Sequence, residues 1–271
     1  MKNTSRKKFR LTKKVFAVPY ILFLLLFVVV PLVLILVNAF LDSGSNLTLE
    51  NFKIFFTSKS SLVVLGNSLL VGVITTVLCL VIGYPVAYFL SKMSSGRILV
   101  LLYVIPMGVN FLIRTLATKA IFIALGVELG MGTVLFGMVY NYLPFMILPL
   151  HTTLSGIDKS YIEAALDLGA NPFKALTKVM IPIITPGIVS GFVMAFIMSM
   201  DDFIITQINK GAATGINTLS TFIYSDARVQ GLEPFWYAIF SIIFVVVLAA
   251  VLSINLVKIS REKKKNKEKN A

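Results

Sequence analysis

Long apolar blocks alternate along this chain with short polar segments, and the blocks recur at about 20 residues, the length at which a helix crosses a bilayer. The pattern predicts spans at about 15–41, 62–90, 98–118, 132–154, 183–208 and 235–257. The expected fold class is therefore all-α: a polytopic membrane protein with six transmembrane helices, an even number that puts both ends on one side. The polar connections run to about 28 residues at most, too short to bury a core of their own. The expected layout is a tail at 1–14, a first span with its external loop at 15–61, a transmembrane core at 62–257 with a polar loop at 158–182, and a second tail at 258–271.

Composition agrees with that reading. The chain of 271 residues is 57% hydrophobic, with a mean hydropathy of +0.90. Its net charge of +13 changes meaning once located, because all but one unit of it sits in the two tails: Lys2 to Lys14 before the first span and Lys258 to Lys269 after the last. Lys and Arg beside spans are retained on the cytoplasmic side, which predicts cytoplasmic termini in a cell membrane and contact with anionic lipid. These runs lack interleaved aromatics, so nucleic acid is not an expected partner. The loops near 91–97 and 155–182 then fall inside, and those near 42–61, 119–131 and 209–234 outside. The first apolar run follows basic residues as a signal peptide would, but its length of about 26 residues exceeds the usual hydrophobic region and no small-residue cleavage site follows. It reads as a retained anchor.

The chemistry of catalysis is missing from the sequence. Cys79 and His151 are the sole residues of their kinds, which leaves no disulfide framework and no Cys/His metal spacing. No phosphate-cradling G-x-x-x-x-G-K-[ST] loop and no G-x-S-x-G elbow occurs. No catalytic residue, metal or cofactor is expected, and the chain is not expected to be an enzyme. Cys79 reads as packing, His151 and Arg114 as interfacial, and Asn67, Asn110 and Asn141 as amides bonded between helices. Pro31, Pro85, Pro106, Pro144 and Pro149 interrupt the spans and suit a bundle that rocks between two shapes.

The loop between the fourth and fifth spans carries strong local signals. Ser160-x-x-Glu163 has the form of a capping box, which predicts a helix running to Leu168 and stopping at Gly169, the residue that best tolerates a left-handed turn. Asn171 and Pro172 then form an N-cap and a first helical position. Ile162, Ala165, Leu166 and Gly169 fall on one face of the first helix; Phe173, Leu176 and Met180 share a face of the second, opposite Lys174 and Lys178. Helices this short need a partner surface. In the fifth span, Asp201 and Asp202 lie about 27 Å from its start near Ile183, in the outer half. Carboxylates at that depth should face water or the bundle interior and mark a pathway for a cation. The alternative is that the span ends early and both are interfacial.

Glu163 to Pro182 resembles the cytoplasmic loop of ABC-importer permeases, whose pattern is E-A-A, three residues, G, nine residues, then I-x-L-P. Glu163, Ala164, Ala165, Gly169 and Pro182 match, with Val179 and Ile181 in place of the Ile and Leu. The resemblance implies a helix-turn-helix coupling loop, with Glu163, Ala164, Ala165 and Gly169 docking on a cytoplasmic ATPase subunit. Beyond the loop, Val18 to Leu36, Asn110 to Phe122, and Tyr142 to Leu150 running into Asp158 to Ala170 resemble the B-type subunit of spermidine/putrescine importers, whereas Met198 to Thr206 is more similar to the C-type. That implies polyamine as solute, Asp201 and Asp202 on its path, a homologous second permease, and an external binding protein. Another solute (iron, an anion, a sugar) on the same architecture is the runner-up. A stand-alone secondary transporter or cation channel is the third reading; no internal repeat supports it and it leaves the capped loop unexplained.

Overall fold

The computed structural model describes residues 13–42, 44–93, 95–158, 160–212, 215–231, 233–246 and 248–249. Most of both basic tails and the second half of the expected sixth span lie outside these residues. The described residues are helical, apart from loops and an isolated antiparallel bridge between Leu41 and Leu47; in chain order the helices include α1 (Lys13–Leu24), α2 (Val30–Ala39), α3 (Glu50–Thr57), α4 (Lys59–Lys92), α5 (Gly96–Val104), α6 (Phe111–Ala124), α7 (Met131–Ser155), α8 (Ser160–Asp167), α9 (Pro172–Ala175), α10 (Ile181–Met200), α11 (Ile204–Asn209) and α12 (Leu219–Gln230). They form two compact units: Ser60–Val229, and the residues up to Lys59 together with those from Gln230 on.

In the larger unit, helix packing follows the logic of lipid rather than of water. With apolar solvent outside, nothing drives large apolar side chains inward, and small residues that admit close backbone approach take the interfaces. The second span lies in a helix Lys59–Lys92, which buries Ser61, Ser68, Gly72, Thr75, Thr76, Cys79, Gly83 and Ala87 at helical spacing. Leu69, Leu70, Val77, Val81, Ile82 and Phe89 of the same helix face outward. The fourth span, in the helix Met131–Ser155, is the centre of the core, contributing Val134, Met138, Tyr142, Met146, Ile147, Leu150 and Leu154. The helix Ile181–Met200 packs along it. Contact is made at Gly187, where a Cβ would meet Thr153 and the Pro149 carbonyl, and at Gly191, where it would meet Met146. A G-x-x-x-G spacing thus lets the two backbones approach, and the falling partner numbers make the pair antiparallel.

Two expected spans are not straight helices. The third, expected over 98–118, is a helix Gly96–Val104 that passes into a 3-10 turn Ile105–Gly108 and then turns by 93° into a helix Phe111–Ala124. Pro106 withholds an amide there, and Asn110 caps the new helix, its Oδ1 accepting from the Leu112 N–H at 2.9 Å. Asn110 is therefore a cap and not an amide between spans. The fifth, expected over 183–208, ends at Met200 and resumes as a short helix Ile204–Asn209. Among the described residues four helices are long and apolar enough to cross a bilayer, five if the bent pair is one span. The expected sixth span is represented by an apolar helix Pro234–Val246.

Widened turns appear just ahead of two prolines. The π turn Leu25–Val29 precedes Pro31, and the π turn Leu176–Met180 precedes Pro182. In the first, the Val30 N–H donates to Leu25 O, five residues back. A proline ring presses on the carbonyl four residues before it and offers no amide to that carbonyl; a wider turn relieves both problems without breaking the helix.

In the smaller unit, the helix Lys13–Leu24, the π turn and the helix Val30–Ala39 carry the first apolar run, whose most apolar stretch is not buried by the described chain. A short helix Glu50–Thr57 follows, anchored by Asn51, which is 5% exposed. Its Nδ2 donates to Ala39 O at 3.0 Å, the last carbonyl of the preceding helix, and to Leu41 O at 2.8 Å just beyond it. The intervening loop is held by Asp42, whose carboxylate accepts from the Gly44 and Asn46 amides at 2.8 and 2.9 Å. Hydrogen bonds from the Asn46 backbone and side chain, with a smaller contribution from the Gly44 amide, keep the Asp42 carboxyl below its ordinary range.

Candidate functional sites

The polar loop after the fourth span begins at Asp158. Its carboxylate accepts from the Ser160 N–H at 3.0 Å and its carbonyl from the Tyr161 N–H at 3.3 Å, opening the helix α8 (Ser160–Asp167). The cap is thus Asp158, not the expected Ser160 and Glu163 box. Ser160 already lies in the first helical turn, and a full negative charge at the amide end of a helix outranks a serine hydroxyl. Hydrogen bonding from Ser160 holds the Asp158 carboxyl below its ordinary range. Glu163 remains exposed on the first turn.

The far end of α8 closes as its residues dictate. Gly169 has φ +80°. The Ala170 N–H donates to Ala165 O at 3.0 Å and the Gly169 N–H to Leu166 O at 2.9 Å, the paired bonds of a Schellman turn. Asn171 Oδ1 then accepts from the Lys174 N–H at 2.7 Å, capping the helix α9 (Pro172–Ala175). One expectation changes here: α9 is not a free-standing short helix but runs through the π turn Leu176–Met180 into the helix α10 (Ile181–Met200). α8 folds back on this lead-in. Ala165, Ala175 and Met180 are buried, whereas Glu163, Ala164, Leu166 and Gly169 are exposed. The expected apolar face of α8 therefore splits, with Ala165 inward and Leu166 and Gly169 outward; the side chains of Ile162, Phe173 and Leu176 lie outside the described set. Leu168, at the turn, is 88% exposed.

The second candidate lies at the opposite end of α10. After Met200 the chain breaks and restarts as the helix α11 (Ile204–Asn209). Asp201 is exposed and Asp202 is 5% exposed. The Tyr142 hydroxyl donates to Asp202 Oδ1 at 3.0 Å, as does the Ile205 N–H at 3.3 Å; Oδ2 accepts from the Thr206 N–H at 2.9 Å and the Thr206 hydroxyl at 3.1 Å. The Tyr142 ring stacks on Phe111, with centroids 6.3 Å apart, and the Arg114 guanidinium lies 5.8 Å from the Phe111 ring. Arg114 Nε is buried without a partner, so this arginine is turned partly into the protein instead of snorkelling free.

Three further polar residues take positions that sequence patterning did not resolve. Asn141 is fully buried; its Nδ2 donates to Gly137 O at 2.8 Å and its Oδ1 has no partner. Asn67 does not join two spans: its Nδ2 reaches Gly215 O and Asn217 O, both at 3.3 Å, in the loop after α11. Thr133 Oγ1 donates to Asn209 O at 2.8 Å, seating α11 on the start of the fourth span. Cys79 is buried in the core. In the smaller unit, Asp42, Glu50 and Glu233 share a groove of about 340 Å³ with Asn51 and Phe235. No sequence signal pointed to it, since its acids are up to 191 residues apart in the chain. Among the described residues no group of three His, Cys, Asp or Glu side chains is placed to hold a metal.

Known proteins supply the context for this geometry. No protein-family profile matches the chain. It is 32% identical over 241 residues to the spermidine/putrescine transport system permease protein PotB of Haemophilus influenzae, covering 80% of this chain and 83% of that one. It is 34% identical over 237 residues to PotB of Salmonella typhi, covering 78% and 80%. To PotC of Escherichia coli it is 28% identical over 244 residues, covering 87% and 90%. Among solved structures, a bacterial ABC transporter involved in the import of the acidic polysaccharide alginate matches with a TM-score of 0.65 at 18% identity over 95% of this chain and 99% of that one. The MetNI methionine ABC transporter matches with a TM-score of 0.52 at 19% identity, covering 75% of this chain and 98% of that one. The helical architecture, the capped loop ahead of α10 and these similarities together place the chain in the family of ABC-importer permeases that contains the PotB and PotC subunits of spermidine/putrescine transport systems.

Proposed function

We propose that this chain is one of two homologous membrane subunits of a polyamine importer, passing spermidine or putrescine delivered by an external binding protein. The observation that carries the solute is the similarity to spermidine/putrescine permeases over about four fifths of the chain. The fold does not select the solute, since the solved neighbours include an ABC transporter involved in alginate import and a methionine ABC transporter. In this reading both termini are cytoplasmic, as is the loop at 158–182, and ATP hydrolysis belongs to a separate subunit. Glu163, Ala164 and Gly169 meet that subunit directly, while buried Ala165 sets the fit of α8 on α9. Because α9 is continuous with α10, a displacement of the loop is passed along about 30 Å of helix to the break at Asp201 and Asp202. A negative site there favours a polycation.

The test is uptake of labelled spermidine and putrescine in cells lacking this chain, complemented with wild type or Glu163→Ala. Wild type restores ATP-dependent uptake, and Glu163→Ala reaches the membrane at normal levels with uptake lost. Restored uptake that is indifferent to Glu163→Ala sinks the coupling role; absent uptake of both amines with wild type sinks the solute assignment.

A further inference from the structure

Two neighbouring carboxylates at the end of α10 stand in opposite environments, and the difference separates their roles. Asp202 is buried and takes four hydrogen bonds, from Tyr142, from the Ile205 and Thr206 amides and from the Thr206 hydroxyl. A carboxylate offers about four acceptor positions. Those of Asp202 are filled by the protein, which leaves none for an ammonium group. Asp201, one residue earlier, is exposed.

The bonds on Asp202 also explain what keeps the break in place. A helix that stops and restarts leaves amides of the new helix without partners. Asp202 supplies acceptors to two of these, and the Tyr142 hydroxyl ties the same carboxylate to the fourth span, 60 residues earlier in the chain. Tyr142 is in turn stacked on Phe111 at the start of the helix that follows the 93° bend. The carboxylate thus joins two segments directly and, through the Tyr142 ring, reaches a third.

We propose that Asp202 is an anchor and not a solute ligand, and that Tyr142 is a positioning residue which, by holding Asp202, presents Asp201 as the carboxylate offered to a cationic solute. The solute part rests on the polyamine reading above; the anchor part does not.

Asparagine and aspartate are comparable helix caps, but asparagine keeps only one acceptor oxygen, so Asp202→Asn removes the charge together with about half of the hydrogen bonds. The full importer is assayed for spermidine uptake, with KM and maximal rate normalised to the amount of chain in the membrane. Asp202→Asn keeps KM within about threefold of wild type, whereas Asp201→Asn raises it about tenfold or more. Asp202→Ala and Tyr142→Phe lower the maximal rate with smaller changes in KM. A rise in KM with Asp202→Asn as large as that with Asp201→Asn, at normal protein level, overturns the proposal.

A second measurement does not depend on the solute. The Asp201→Cys chain, whose native Cys79 is buried, is reacted with a membrane-impermeant thiol reagent. The added thiol is labelled, and at a severalfold different rate when combined with Tyr142→Phe. No labelling, or a rate indifferent to Tyr142→Phe, overturns the positioning role. Expected labelling without any spermidine uptake by wild type removes the cation role from Asp201 and leaves the anchor supported.

Discussion

Gly191 of α10 lies so close to Met146 of the fourth span that a Cβ built on it would come within 3.1 Å of the Met146 carbonyl oxygen and 2.7 Å of its sulfur. Main chain cannot swing aside as a flexible side chain can. The pair therefore sets the separation of the two helices at the centre of the core, and with Gly187 it lets the span that follows the loop at 158–182 run against the span that carries Tyr142.

Gly191→Ala is expected to cost about 1–3 kcal/mol, as overpacking of a close-packed interior does, and Gly191→Leu more. The check is the thermal midpoint of the detergent-solubilised protein, which falls in that order. A Gly191→Leu chain as stable as wild type would mean that α10 stands further from its neighbour than described.

At Gly169 the demand is conformational and not steric: φ is +80° and a Cβ there would meet nothing within 4 Å. Gly169→Ala should cost about 1–2 kcal/mol of local stability at the end of α8, the usual penalty for an L-residue in the left-handed region, and Gly169→Asn less. Hydrogen exchange at the Gly169 and Ala170 positions reads this directly, with faster exchange in the alanine variant than in the asparagine one. Equal exchange in all three proteins would mean that the left-handed conformation at Gly169 does not hold the end of α8 closed.

The cap at Asp158 carries a pH signature. Its folded carboxyl titrates below the ordinary value because of the bonds from Ser160, so its contribution to α8 is complete above the unfolded pKa of about 3.9 and is lost as pH falls through the lower folded value. Protection of the first-turn amides should therefore be greater in wild type than in Asp158→Ala near neutral pH, with the difference shrinking as pH falls below the ordinary carboxylate range. A difference that persists undiminished in acid would place the cap elsewhere.

Sequence alone determined whatever depends on contacts within about five residues or on apolar length. Gly169 as a left-handed stop, Asn171 before Pro172 as a cap, and the fourth span at 132–154 against the observed Met131–Ser155 are of this kind. The pattern at Ser160 and Glu163 has the form of a capping box, but the structure already has Ser160 in the first helical turn and Asp158 as the cap. Hydropathy over a window saw the third and fifth spans as continuous, because Pro106 and Asn110, or two aspartates, alter the average little while altering the hydrogen bonding completely. The tertiary structure alone decided that Asp202 is buried and Asp201 exposed: the bonds from Ile205 and Thr206 are local, but the fourth that satisfies the buried carboxylate comes from Tyr142, 60 residues away and brought there by the packing of one span on another.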